Sequence, residues 1–242
     1  MNIKKIIFSV LILLLISCST NKMSYMEKVN TSIDSPDGTL RLDIILDDGL
    51  LKYGLIKNNK SIIDPSLLGI ETNLFDFTSD MKIKKIDKKS TNQQWEQVWG
   101  EQKIIIDKNN EIAITIVSEN NNLEMIVRFR LFNDGLGFRY EIIEQNNIIN
   151  YNILDEITEF NFNEDSPSWW IPAYAYRRYE FLYANTKISE ISREKFSDLV
   201  EYLNPDDFIG PEAVQTPFTT QRADGITIAI HEANLTNYSS MT

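Results

Sequence analysis

The stretch LEMIVRFRLFNDGLGFRYEI, residues 123–142, determines the fold class of this chain. Apolar and polar residues alternate on both sides of Asn133-Asp134-Gly135, a tripeptide whose members tolerate a positive φ angle. Alternation with a period of two places successive side chains on opposite faces of a sheet. The stretch therefore predicts a β-hairpin with one buried face.

The same alternation recurs in other parts of the sequence. Apolar side chains occupy every second position from Leu40 to Leu46 and from Ile112 to Ile116, and Asp48-Gly49 predicts a tight turn. One segment has helical spacing instead, with Ser192 as its candidate N-cap. Its apolar positions are Phe196, Leu199, Val200 and Leu203. We expect an all-β fold with little helix, either a sandwich of two antiparallel sheets or a closed barrel.

Composition excludes several classes of protein. The formal net charge of -11 makes nucleic acid an improbable partner, because phosphate binding requires clustered basic residues. A hydrophobic content of 43% supports a folded core rather than disorder. Cys18 is the only cysteine, so no internal disulfide forms.

The first 18 residues have the pattern of a bacterial lipoprotein signal peptide. Lys4 and Lys5 precede an apolar run from Ile6 to Ile16, which is shorter than the ~20 residues that span a bilayer. Leu15-Ile16-Ser17-Cys18 matches the lipobox, in which the cysteine thiol receives a lipid. We predict lipidation at Cys18, a flexible tether over residues 19–30, and a domain over residues 31–242 anchored to a membrane in the periplasm or outer membrane.

An aromatic cluster is the first candidate for chemistry. Its candidate carbohydrate-binding residues are Trp169, Trp170 and Tyr174. Flat rings of this kind stack on sugar faces, but they also fill cores and domain contacts, where aromatic residues bury large areas. The sequence alone favours packing over direct sugar contact.

Glu232 is the second candidate. It follows Ile226, Ile228 and Ile230 at the same spacing, which puts its carboxylate on the apolar face of a late strand. A carboxylate in that position needs a partner or a cation, and its oxygens suit Ca²⁺. Alternatively, the strand ends earlier and Glu232 lies in solvent. His231 is the only histidine, which excludes any multi-histidine metal site within this chain.

Several segments together carry a resemblance to a known family. The sequence resembles the N-terminal domain of glycoside hydrolase family 97, which comprises exported α-glucosidases and α-galactosidases. The matching segments are Ser35-Pro36-Asp37-Gly38, Trp99-Gly100-Glu101, residues 128–140, Trp170-Ile171-Pro172-Ala173-Tyr174, Thr216-Pro217-Phe218-Thr219 and His231-Glu232-Ala233-Asn234-Leu235.

The resemblance implies a β-super-sandwich of two large antiparallel sheets, packed against a catalytic (β/α)8 barrel. It also implies that Glu232 is a Ca²⁺ ligand, with the other carboxylates of the site supplied by the barrel. The sequence ends at Thr242, before such a barrel begins, so we assign no catalytic residue here. Glycoside hydrolysis requires two carboxyl groups around the scissile bond. We therefore expect this chain alone to be inactive and to bind Ca²⁺ only together with the barrel.

Three functions remain open at this point. The first is the N-terminal domain of a family 97 enzyme that acts on an oligosaccharide or α-glycoside, with the barrel as its partner. The second is a stand-alone surface lipoprotein that binds carbohydrate without catalysis. The third is a non-functional remnant of such an enzyme.

Overall fold

The computed structural model describes residues 25–118, 123–144, 150–174, 180–197, 207–236 and 238–242. The predicted signal peptide, Cys18 and the first part of the tether lie outside these residues. The chain divides into two compact units, Met1–Asn161 and Phe162–Thr242. Within the part that the structure describes, no helix is both long and apolar enough to cross a membrane.

Fourteen strands and two short helical segments make up the described chain. The strands of the first unit are β1 (Val29–Asp34), β2 (Leu40–Asp47), β3 (Leu50–Lys57), β4 (Lys60–Leu68), β5 (Ile70–Thr72), β6 (Met81–Glu96), β7 (Ile104–Ser118), β8 (Glu124–Leu131), β9 (Leu136–Ile142) and β10 (Ile153–Glu156). The second unit contains β11 (Pro167–Trp170), β12 (Ala184–Lys187), a 3-10 turn (Ile188–Glu190), α1 (Arg193–Ser197), β13 (Phe218–Gln221) and β14 (Thr227–Ile230). The predicted all-β class with little helix is confirmed.

The first unit contains two four-stranded antiparallel sheets, in the orders β1-β2-β3-β4 and β6-β7-β8-β9, and a small sheet of β5 and β10. The predicted hairpins are both present. Leu131 pairs with Leu136 across one turn, and Asp47 pairs with Leu50 across the other. β1 begins at Val29, within two residues of the predicted domain boundary at residue 31.

The two hairpin turns differ in their backbone geometry. Asp48 and Gly49 have φ angles of 52° and 71°, as a two-residue turn requires. The other turn is longer, because Leu131 and Leu136 are its last paired residues and four residues, 132–135, lie between them. Phe132 N donates to Gly135 O at 2.8 Å within this turn, and Asn133, Asp134 and Gly135 have no positive φ. The hairpin was therefore predicted correctly, although its turn uses a different conformation.

The two large sheets of this unit bury their alternating apolar side chains against each other. Leu42 and Ile44 of β2 and Ile114 of β7 are completely buried. The ring of Tyr53, on β3, lies 6.2 Å from that of Phe129, on β8. Because no disulfide is available, this apolar contact is what holds the two sheets together.

A network of charged side chains covers the other face of β7, β8 and β9. Arg128 binds Glu141 through two hydrogen bonds of 2.7 and 2.9 Å and also donates to Glu111 at 2.6 Å. The register places Arg128 directly opposite Arg139, an arrangement of like charges that destabilises a sheet. Glu141 accepts hydrogen bonds from both arginines and so offsets their repulsion.

The second unit has one sheet in the order β12-β11-β13-β14 and its own apolar core. This core contains Trp170, Phe181, Phe196 and Phe218, all buried. Ser192 Oγ accepts a hydrogen bond from Lys195 N at 3.2 Å, as expected of an N-cap. The helix is described only as far as Ser197, so the predicted apolar positions from Leu199 to Leu203 lie outside the described residues.

We predict that Glu141→Gln destabilises the protein in a pH-dependent manner. The hydrogen bonds from Arg128 lower the pKa of Glu141 below its usual value of 4.5, against the opposing effect of burial. A lowered pKa contributes stability above pH 4.5 that is lost as the pH falls through the folded-state value. We expect Glu141→Gln to cost about 1–2 kcal/mol in urea unfolding at pH 7 and much less at pH 3.

The exposed Glu144 provides a matched control, because Glu144→Gln removes a carboxylate close to the end of the same strand. This control should change stability very little at either pH. An equal loss for Glu141→Gln at pH 7 and pH 3 would contradict the ionic explanation.

Candidate functional site

Trp169 lies on the open face of the sheet in the second unit. Its direct neighbours across the strands are Asn185 on β12 and Thr219 on β13, and Thr219 pairs in turn with Ala229 on β14. Residues opposite each other in a sheet share a face, so these four form one row. The neighbours are small or polar, and the indole remains 37% exposed. This row is called the Trp169 row below.

Trp170 and Tyr174 point into the core instead. Trp170 is only 1% exposed, and its Nε1 donates to Thr186 Oγ1 at 3.0 Å. Tyr174 is 7% exposed and packs edge-to-face against Phe181 and Phe208. Of the three candidate aromatic residues, these two pack in the core, and Trp169 alone offers an accessible ring.

Glu232 follows the pattern expected from its spacing. Ile226, Ile228, Ile230 and Glu232 are all half-buried, whereas the residues between them are exposed. β14 ends at Ile230, but the Glu232 carboxylate is not left in solvent. Its Oε2 accepts a hydrogen bond from Thr216 Oγ1 at 3.2 Å, and its Oε1 accepts one from Met241 N at 2.7 Å.

Glu232 is the calcium ligand predicted from the sequence, and the described residues do not form a metal site around it. Ca²⁺ takes six to eight oxygen ligands, usually including several carboxylates. Within the described residues, no group of three or more His, Cys, Asp or Glu side chains could hold a metal ion.

The sequence did not predict the partners of Glu232. Thr216 lies just before β13. Because Phe218 pairs with Ile230 in an antiparallel arrangement, Thr216 is brought to the end of β14. The spacing of the two segments in the sequence does not reveal this pairing. Met241 contributes only its backbone N–H, a group that every residue except proline carries and that no sequence pattern identifies.

Comparison with known proteins identifies the family. The family described as "Glycosyl-hydrolase 97 N-terminal" matches residues 33–242. The chain belongs to glycoside hydrolase family 97. The match spans both units, including the Trp169 row and Glu232.

Solved structures of family 97 enzymes resemble this chain over most of its length. An enzyme from Pseudoalteromonas sp. strain K8 in complex with panose is 34% identical, with a TM-score of 0.73. Its complex with acarbose gives 34% identity and a TM-score of 0.72. Each match covers 87% of this chain but 29% of that enzyme, so this chain spans less than a third of the length of its relative.

A more distant structure supports the fold alone. A β-arabinopyranosidase is 22% identical, with a TM-score of 0.62, and the match covers 67% of this chain and 27% of that one.

We predict that the adjacent residues Trp169 and Trp170 respond in opposite ways to truncation. Trp170→Ala leaves a cavity beside Phe196, whose ring centroid lies 5.8 Å away, and should cost about 3–5 kcal/mol in urea unfolding. Trp169→Ala should change stability by less than about 1 kcal/mol, since surface substitutions have small effects. A large loss for Trp169→Ala would show that its ring is needed for folding and is not a free binding surface.

Proposed function

We propose that this chain is the N-terminal β-sandwich region of an exported family 97 glycoside hydrolase. In this role it packs against a catalytic (β/α)8 barrel and supplies Glu232 to a Ca²⁺ site completed by the barrel. The hydrolase acts on an oligosaccharide or α-glycoside. We expect this chain alone to be inactive, because the proposal assigns the catalytic pair of carboxylates to the barrel.

The family match over residues 33–242 carries this proposal. The Pseudoalteromonas enzyme was solved with panose and with acarbose, which makes an oligosaccharide the appropriate substrate class to test. This chain matches only 29% of that enzyme. Most of the enzyme therefore lies outside the match, and the proposal assigns the catalytic part to it.

The position of Glu232 supports the proposed calcium role. The carboxylate is half-buried, and its two described partners are a hydroxyl and a backbone N–H. Neither partner is a cation, so the negative charge is not neutralised by these contacts. A carboxylate oxygen that accepts one hydrogen bond still has a lone pair with which to bind a metal ion.

Export and lipidation complete the proposal. The apolar run from Ile6 to Ile16 and the lipobox that ends at Cys18 support secretion across the inner membrane followed by attachment to lipid. A lipid-anchored hydrolase of this kind would act on glycans outside the cytoplasm, in the periplasm or at the outer membrane.

An exchange protein tests the proposed function. In this protein, residues 25–242 of the present chain replace the matching region of the Pseudoalteromonas sp. strain K8 enzyme. We expect it to unfold in a single thermal transition and to release glucose from panose, whereas the isolated chain releases none. Calcium at 100 times its Kd should stabilise the exchange protein by about 3 kcal/mol and should not stabilise the isolated chain.

Glu232→Gln removes the proposed ligand charge and should abolish most of the calcium-dependent stabilisation. Glu212→Gln, which removes an exposed carboxylate of the same unit, is the matched control and should retain it. Equal calcium responses of the two variants would exclude Glu232 from the metal site. Two separate thermal transitions, one at the melting temperature of the isolated chain, would show that the region does not pack against the catalytic part.

A stand-alone carbohydrate-binding role is the second candidate, and the Trp169 row favours it. An exposed indole flanked by Asn185 and Thr219 combines an apolar ring face with polar side chains suited to sugar hydroxyls. This role requires no catalytic part.

Affinity electrophoresis of the isolated chain tests this second role. Retardation on starch, dextran or galactan gels should be abolished by Trp169→Ala and preserved by Tyr183→Ala, which removes another exposed ring of the same unit. If the unmodified chain is not retarded on any of these gels, stand-alone carbohydrate binding is contradicted.

A further inference from the structure

The hairpin formed by β6 and β7 extends beyond its sheet. The two strands pair from Met81 and Ser118 to Glu96 and Ile104, with one register shift between Ile83 and Lys85, whereas β8 pairs with β7 only from Asn110 to Val117. Six cross-strand pairs, between residues 91–96 and 104–109, therefore lie beyond the end of β8. At about 3.4 Å per residue, this ribbon is about 20 Å long. The ribbon and its turn, residues 91–109, are called the arm below.

The arm carries apolar side chains on both of its faces. Trp95 pairs with Ile105, which places both on one face, and Trp95 is 48% exposed. Ile104 and Ile106 lie on the opposite face and are 51% and 68% exposed. A ribbon that packs only against its own domain buries one face, so only that face needs to be apolar.

The turn of the arm presents two further apolar side chains. Val98 is 99% exposed and Trp99 is 89% exposed. The turn is ordered by its own contacts, since Gln97 N donates to Lys103 O at 3.0 Å and Lys103 Nζ binds Glu96 Oε1 at 2.9 Å. These contacts close the base of the turn, and Trp99 lies beyond them at the far end of the arm.

A two-stranded ribbon with this exposure gains little stability by itself. Contiguous exposed apolar residues mark an interaction surface, and tryptophan is enriched among the residues that dominate binding energy. A flat partner could cover one face of the arm, whereas a cleft covers both faces and the turn. The aliphatic side chains of Ile104 and Ile106 lack the flat ring on which a sugar stacks, so a protein cleft fits the arm better than a glycan.

We propose that the arm inserts into a cleft in the catalytic part of a family 97 hydrolase, with Val98 and Trp99 as its buried anchor. This inference rests on the proposed function, which supplies the partner. The part of the Pseudoalteromonas enzyme outside the match is more than twice as long as the matched region, long enough to provide a cleft around a 20 Å ribbon.

The test compares the same substitution in the isolated chain and in the exchange protein. Trp99→Asp should leave the melting temperature of the isolated chain unchanged, because the ring is in solvent there. In the exchange protein it should lower the melting temperature by at least about 3 °C, as expected when a dominant interface residue is lost. Leu154→Asp, at another exposed apolar residue of the first unit, is the matched control and should leave both proteins unchanged.

Three results would overturn the arm proposal. The first is an exchange protein that unfolds in one transition but is insensitive to Trp99→Asp, which leaves the proposed function intact. The second is an equal loss in the isolated chain, which would assign Trp99 to its own domain. The third is a dimer of the isolated chain that Trp99→Asp dissociates, which would show that the arm binds a second copy of this chain.

A second protein separates failure of the arm proposal from failure of the proposed function. If the exchange protein unfolds in two transitions, only residues 91–109 are transferred into the otherwise unchanged Pseudoalteromonas enzyme. Trp99→Asp should then lower the single melting temperature of this arm graft by a similar amount. An unchanged melting temperature would refute insertion of the arm.

Discussion

Apolar contact between two open sheets is the constraint on which the rest of the first unit depends. With one cysteine in the whole sequence, no covalent link fixes β3 against β8, and the rings of Tyr53 and Phe129 must do so by packing. A shift of one residue in either register would turn these rings outward. The charged network around Arg128 lies on the opposite face and is positioned by that same register.

Local patterns predicted the local structure well. Alternation and turn residues predicted both hairpins because the period of the side chains and the backbone angles of a turn are properties of neighbouring residues. The limits appear where distant segments meet. Trp169 and Trp170 are adjacent and chemically identical, and only the placement of the core decides which ring is buried and which is exposed. Spacing likewise predicted the face on which Glu232 lies but not its partners, Thr216 and Met241.

The arm illustrates a second limit. Residues 91–109 contain no pattern that marks them as lying beyond a sheet, because the distinction depends on where β8 stops pairing. Once that end point is known, the exposed Ile104, Ile106 and Trp99 stand out from ordinary strand residues. A ribbon that extends beyond its sheet can therefore not be distinguished from an ordinary strand by its sequence alone.

The two hydrogen bonds to Glu232 have a consequence for the entropy of ligand binding. A glutamate side chain that is free in solution samples many rotamers, and immobilising it costs up to about 1.5–2 kcal/mol. Thr216 and Met241 already fix one oxygen each when the chain folds. The cation proposed for this carboxylate would meet a side chain whose rotational freedom has already been lost, so ordering that side chain would offset less of the binding free energy.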